Sequence, residues 1–182
     1  LKKNGLEPDK DVRILYAQDI NGVLTSVSAG NAAAGIMSAP TSVRAKAAGL
    51  KMLVDVTALK IPFLFTGILS SPRVVRDKSE AASRFLRGYI ESLAVIRRDK
   101  ETTTRAMAKF LKTSDAAVLD SVYEEYKDVF PVTPLVSVAE VKAVLDVAKS
   151  PKAKQMKPEE FFDNSLVQKI QASGFIEQVN KR

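Results

Sequence analysis

Four polar residues have the side chains and the positions to hold a small anion. Gln18 and Ser38 each follow a short apolar run, Thr41 follows Ser38 across a proline, and Thr66 lies within another apolar run. Hydroxyl and amide groups donate hydrogen bonds to oxyanions such as nitrate, a sulfonate or a carboxylate. Ligands of open α/β sheets bind beyond the carboxyl ends of the strands. We therefore predict that these residues line a ligand cleft.

The stretch around Pro40 gives the strongest of these predictions. Proline favours the first turn of a helix, where free backbone N–H groups and the positive end of the helix dipole attract an anion. Ser38, Ala39 and Thr41 are therefore predicted to contact the ligand. Capping of the helix alone is an equal alternative for Ser38 and Thr41. A turn for Gln18 and a strand position for Thr66 are open alternatives too.

The absent residue types exclude much chemistry. The chain has 182 residues, with no histidine, cysteine or tryptophan. Disulfides, thiol nucleophiles, Cys/His metal sites and histidine general bases are thereby excluded. The carboxylates of Glu124, Glu125 and Asp128 lack a neighbouring metal ligand in the sequence. We expect no catalytic residue, no metal and no cofactor.

The net charge of +7 permits attraction to nucleic acid or to anionic membranes. The basic residues are nevertheless scattered among acids, and the densest basic stretch, residues 152–157, has no interleaved aromatic residues. Nucleic-acid binding is therefore not expected. No apolar run reaches the roughly 18 residues of a membrane-spanning helix.

Two kinds of periodicity divide the chain near residue 75. Short apolar runs bounded by Gly, Pro, Asn or Asp predict strands. They cover residues 12–17, 33–37, 51–56 and 63–69, with helices predicted over 22–29, entered by Asn21 as N-cap, and over 40–48. Alternating strands and helices predict a largely parallel sheet. Apolar spacing of three and four residues then predicts five helices, over 79–98, 100–112, 115–129, 138–149 and 165–172.

A family resemblance rests on several short motifs taken together. Their order and spacing are similar to those of the solute-binding proteins of ABC importers in the nitrate, taurine and sulfonate group. The motifs are Gly5-Leu6 with Asp11-Val12, the spacing of Gly30, Pro40, Gly49, Leu50 and Asp55, then Thr66-Gly67-Ile68, and Asp163 with Ser173-Gly174-Phe175-Ile176. The chain resembles the C-terminal two-thirds of that family.

The resemblance implies an α/β fold of the periplasmic-binding-protein type II, with two lobes. Residues 1–62 would be most of the second lobe without its first strand and helix, 63–75 a crossover strand between lobes, and 76–182 helices that pack on the first lobe. Residues 1–5 read as the last turn of a helix that ends at Gly5. We therefore expect a fragment whose exposed sheet edge permits an oligomer.

The resemblance also implies a function. The chain would be the extracytoplasmic component of an importer, capturing a small solute between two lobes for a permease in the inner membrane, without catalysing a reaction. An alternative is a thiamine-pyrimidine precursor binding or synthesis protein of the same superfamily, although its enzyme relies on a histidine and a cysteine-rich motif that this chain lacks. A helical interaction or scaffold protein is the third alternative.

Overall fold

The computed structural model describes residue 1 and residues 5–59, 61–64 and 66–181. In these ranges the chain is helical, with ten α-helices and two short 3₁₀ helices, Thr57–Leu59 and Pro158–Phe161. The α-helices are α1 (Ile20–Ser28), α2 (Thr41–Ala47), α3 (Pro72–Asp77), α4 (Ser79–Arg98), α5 (Lys100–Leu111), α6 (Ala116–Tyr126), α7 (Val138–Val147), α8 (Pro151–Gln155), α9 (Ser165–Ala172) and α10 (Phe175–Lys181).

The predicted α/β fold with a parallel sheet is wrong. Among the described residues there is no β-strand, and a single isolated bridge joins Pro8 to Val12. The predicted strands form no sheet, and their apolar side chains, Tyr16, Ile36 and Leu53 among them, are exposed. A strand is stable only where neighbours satisfy its backbone and cover one face. No described segment does so here, and apolar spacing alone does not report whether such a neighbour exists.

Two of the predictions fall partly on residues outside the described ranges. Lys2, Lys3 and Asn4 belong to the predicted terminal helical turn, and Phe65 to the predicted crossover strand. Gly5 itself has a φ of +73°, the left-handed conformation that glycine adopts without steric cost.

The helix predictions for the second half are largely confirmed. The bounds of α4 and α9 are those predicted, and Ser137 with Glu140 forms the expected capping box at the start of α7. Gly174 ends α9 with a φ of +73°. The expectation of five helices there is too low, because α8 and α10 also form. Both are short, and short helices carry little periodic signal.

The chain divides into two compact units. Unit 1 comprises Leu1–Val54 and Asp115–Val122, and unit 2 comprises Asp55–Ser114 and Tyr123–Arg182. In unit 1, α1 contacts α2. Gly35 lies so close to the Val23 side chain that a Cβ at Gly35 would overlap Val23 Cγ1, which explains why glycine is required there.

The core of unit 2 lies where α4 meets α9 and α10. Ile90 is completely buried in a cluster with Ala94, Ile170, Ile176 and Val179, and Leu86 and Phe175 pack against this cluster. The apolar spacing on α4 places its stripe on the buried face, as the sequence predicts. A guanidinium covers one edge of the cluster, since Arg87 Cζ lies 4.6 Å from the centre of the Phe175 ring.

Candidate functional site

The start of α1 is set by an aspartate. Asp19 Oδ1 accepts a hydrogen bond from the backbone N–H of Gly22 at 2.7 Å, so Asp19 is the N-cap of α1. The prediction from the sequence that Asn21 is the N-cap is therefore wrong. Asn21 instead lies in the first turn of the helix, and its side chain is therefore available for another interaction.

The side chains of Thr41 and Asn21 meet. Thr41 Oγ1 donates a hydrogen bond to Asn21 Oδ1 at 3.3 Å, joining the first turn of α1 to the first residue of α2. Thr41 is only 5% exposed, whereas Asn21 is exposed. The N-cap of α2 is Pro40, without a side-chain capping bond, so Thr41 is not the cap of its helix. The alternative in which Thr41 only caps α2 is therefore wrong.

This bond orients the Asn21 amide. A carboxamide has one oxygen acceptor and two N–H donors. Thr41 uses the oxygen, and no hydrogen bond from Asn21 Nδ2 joins it to another part of the described chain. An exposed amide whose oxygen is already held offers its two N–H groups to an acceptor from solution. The sequence does not reveal the bond between Asn21 and Thr41, because a position before a helix is usually a cap.

The other residues predicted near Pro40 precede Thr41 in the sequence. Ser38 and Ala39 are half-buried, and the Ser38 carbonyl accepts the backbone N–H of Ser42 at 3.1 Å. That bond forms part of the turn that leads into α2. The Ser38 backbone thus helps fix the position of Thr41.

The remaining two predicted residues are both exposed. Gln18 directly precedes the N-cap Asp19 and belongs to unit 1. Thr66 belongs to unit 2. The structure thus brings Thr41 to Asn21 through a hydrogen bond, and among the described residues of unit 1 no such bond joins Gln18 to Ser38.

The acidic stretch of α6 has ion-pair partners. Glu124 accepts hydrogen bonds from Lys127 at 2.5 Å and from Lys100 at 3.1 Å. The bond from Lys127, then that from Lys100, lowers the pKa of Glu124, and the bond to Glu124 raises the pKa of Lys127. The Glu124 carboxylate is therefore engaged in surface ion pairs. The described residues contain no cluster of acidic groups suited to a metal ion.

Comparison with known protein families, curated proteins and solved structures finds no match to this chain. No helix in the described ranges combines the length and the apolar character needed to cross a membrane.

Proposed function

We propose that this chain binds a small oxyanion, such as nitrate or a sulfonate, as the extracytoplasmic solute-binding component of an ABC importer. It would deliver the anion to a permease of the inner membrane and catalyse no reaction. The family assignment is supported by the ordered motifs of the sequence, from Gly5-Leu6 to Phe175-Ile176.

The observation that carries the anion site is the bond between Thr41 and Asn21. It holds Asn21 Oδ1 and leaves the Asn21 N–H groups exposed, next to Thr41 of the segment around Pro40 that the sequence predicts to contact the ligand. A donor that is already oriented loses less conformational freedom on binding. The net charge of +7 adds a long-range attraction for anions.

Isothermal titration with nitrate, sulfate, taurine and an alkyl sulfonate tests this proposal. Asn21→Asp replaces the N–H donors by a negative charge and keeps an oxygen for Thr41. A hydrogen bond to a charged group contributes about 1.5 to 3 kcal/mol, so loss of this donor should weaken anion binding by about 10- to 100-fold. An aspartate in the first turn of α1 suits the helix dipole, so the variant should fold.

Asn31→Asp is the matched control. Asn31 is an exposed asparagine of the same unit, so this change alters the net charge equally. It should leave anion affinity within about twofold, because exposed charges interact weakly across water. Equal weakening in both variants would show that the loss of anion affinity comes from the change in net charge alone. Absence of heat with every anion would refute the proposal.

The helical fold favours a second candidate, a helical interaction protein. The strands predicted from the sequence have no place in such a protein, and no strand forms among the described residues. Phe85 on α4 and Phe110 on α5 are exposed aromatic side chains of the kind found in protein interfaces. Saturable anion binding that Asn21→Asp weakens selects the first candidate. Failure to bind any anion, together with burial of Phe110 in a complex with a protein partner, selects the second candidate.

A further inference from the structure

Asn21 is followed directly by a glycine. Asparagine is a chemically labile residue, and a following glycine makes it most labile, because a backbone nitrogen without a neighbouring side chain can reach the asparagine amide. Asn21 is exposed, so water has access to its side chain. The chain has one other Asn-Gly pair, Asn4-Gly5, whose asparagine lies outside the described residues. The described asparagine with the greatest chemical reactivity is therefore Asn21.

The fold does not require a glycine at position 22. Gly22 lies within α1 and has no positive φ. A Cβ added there would lie 3.4 Å from Ala17 Cβ and 3.5 Å from Asp19 Oδ1, which are ordinary van der Waals distances. Alanine also favours a helix more than glycine does. The fold would therefore accept an alanine that removes the reactive pair.

The first turn of α1 holds the reaction of this pair back. Ring closure needs the Gly22 nitrogen to lose its proton and to approach Asn21 Cγ, which requires a ψ at Asn21 far from the helical value of about −42°. Asp19 Oδ1 accepts the Gly22 N–H at 2.7 Å and caps the helix. This bond keeps the proton on the Gly22 nitrogen and fixes the helical turn. Loss of the cap would remove both constraints.

We propose that Asn21 is a deamidation site whose rate is controlled by the Asp19 cap. When the first turn opens, the Gly22 nitrogen forms a bond to Asn21 Cγ, and the Asn21 amide nitrogen leaves as ammonia together with the Gly22 proton. Water then opens the cyclic imide at either carbonyl, which gives aspartate or isoaspartate. The product carries a negative charge in place of the Asn21 N–H donors. The resulting loss of anion binding rests on the function proposed above, whereas the reaction itself does not.

Incubation of the full chain at mildly alkaline pH, followed by mass spectrometry of its tryptic peptides, tests the proposal. The tryptic peptide of residues 14–44 holds both Asn21 and Asn31, and its fragment masses show which of the two has changed. Asp19→Ala removes the cap and should speed deamidation of Asn21 about fivefold, because the open turn becomes more populated by that factor. Asp19→Ser keeps a capping oxygen and should change the rate by less than about twofold. Gly22→Ala should nearly stop the reaction.

Ser137→Ala is the matched control, because it removes the cap of α7 in unit 2. It should lower stability by a similar amount and leave the rate at Asn21 within about twofold. Equal acceleration by Asp19→Ala and Ser137→Ala would assign the reaction to the unfolded chain and overturn the proposal. An Asn21 that stays amidated in Asp19→Ala, or that deamidates in Gly22→Ala as fast as in the unmodified chain, would overturn it too. No anion enters these measurements, so they are independent of the outcome of the binding experiments.

Discussion

Arg98 of α4 donates a hydrogen bond from Nη1 to the backbone carbonyl of Val179 in α10, with an N···O distance of 2.6 Å. The neighbouring Arg97 reaches Asn180 Oδ1 from Nη2 at 2.7 Å. Cations near the last carbonyls of a helix match both its unpaired acceptors and its dipole. The C-terminal part of α10 is thus held by charged hydrogen bonds in addition to the apolar contacts of its buried face.

Arg98→Met tests the energetic importance of that bond. The change keeps an unbranched side chain but removes the donor, so we expect a loss of about 1 to 2 kcal/mol in the free energy of unfolding. Urea denaturation measures it. Arg105→Met is the control, because Arg105 makes only exposed contacts, an ion pair with Glu101 and a hydrogen bond to Thr102 Oγ1. Its loss should cost under about 0.5 kcal/mol. Equal losses would show that the Val179 bond adds nothing.

Ile90→Ala tests the core of unit 2. Ile90 is completely buried between α4 and the two C-terminal helices, so its truncation leaves a cavity. We expect a loss of about 2 to 5 kcal/mol, measured by urea or thermal denaturation. Phe110→Ala removes a larger side chain that is 86% exposed and should change stability by under about 0.5 kcal/mol. A small effect at Ile90 would contradict the assigned core.

Ser137→Ala tests the capping box of α7. Ser137 Oγ accepts the backbone N–H of Glu140, and Glu140 Oε2 accepts the N–H of Ser137 at 2.8 Å. Removing the serine oxygen should cost about 1 kcal/mol of stability. Glu140→Gln keeps an oxygen acceptor at the same position and should cost clearly less, since glutamine also serves in capping boxes. The reverse order of the two effects would count against the box.

The lowered pKa of Asp99 should cause part of the loss of folding stability in acid. The backbone N–H of Thr102 donates to Asp99 Oδ1 at 2.9 Å, and this bond is the main cause that lowers the pKa of Asp99. Because the pKa of Asp99 is lower in the folded state, the ionised Asp99 carboxylate stabilises the fold above the unfolded pKa of about 3.9. This stabilisation is lost as pH falls through the folded value. Asp99→Asn should therefore lose less stability than the unmodified chain between about pH 4.5 and 2.5. Parallel curves of unfolding midpoint against pH would contradict this.

The elements predicted correctly from the sequence are those with local causes. The helix α4 shows a long apolar stripe, and α7 shows its capping box, so both could be read without knowledge of the rest of the chain. The predicted strands depend on partners. Residues 51–56 and 63–69 have strand-like composition, but strand formation requires a neighbour that no local pattern reveals.

In the candidate site, too, one feature has a local cause and another depends on a distant partner. The sequence predicts that Thr41 contacts the ligand because Thr41 follows Pro40, and this is a local feature. Its partner Asn21 lies twenty residues earlier, and only the contact between α1 and α2 brings the two together. Asp19, and not Asn21, caps α1, so the Asn21 side chain is free to interact with Thr41.

Thr41→Val tests whether the buried hydroxyl orients the Asn21 amide. Valine preserves the volume and the branched shape but has no hydroxyl, so it removes the bond to Asn21 Oδ1 without leaving a cavity. Because that bond is neutral and joins a half-exposed pair, folding stability should fall by about 0.5 to 1.5 kcal/mol. Anion affinity should fall about three- to tenfold, because Asn21 then loses more rotamer freedom on binding. Thr41→Ser retains the hydroxyl and should restore most of the affinity, although it loses a buried methyl group and some stability.

Calorimetric titration of the unmodified chain and the two variants measures anion affinity, and urea denaturation of the same proteins measures folding stability. If Thr41→Val and Thr41→Ser lose affinity in proportion to stability, Thr41 acts through packing alone and does not orient Asn21.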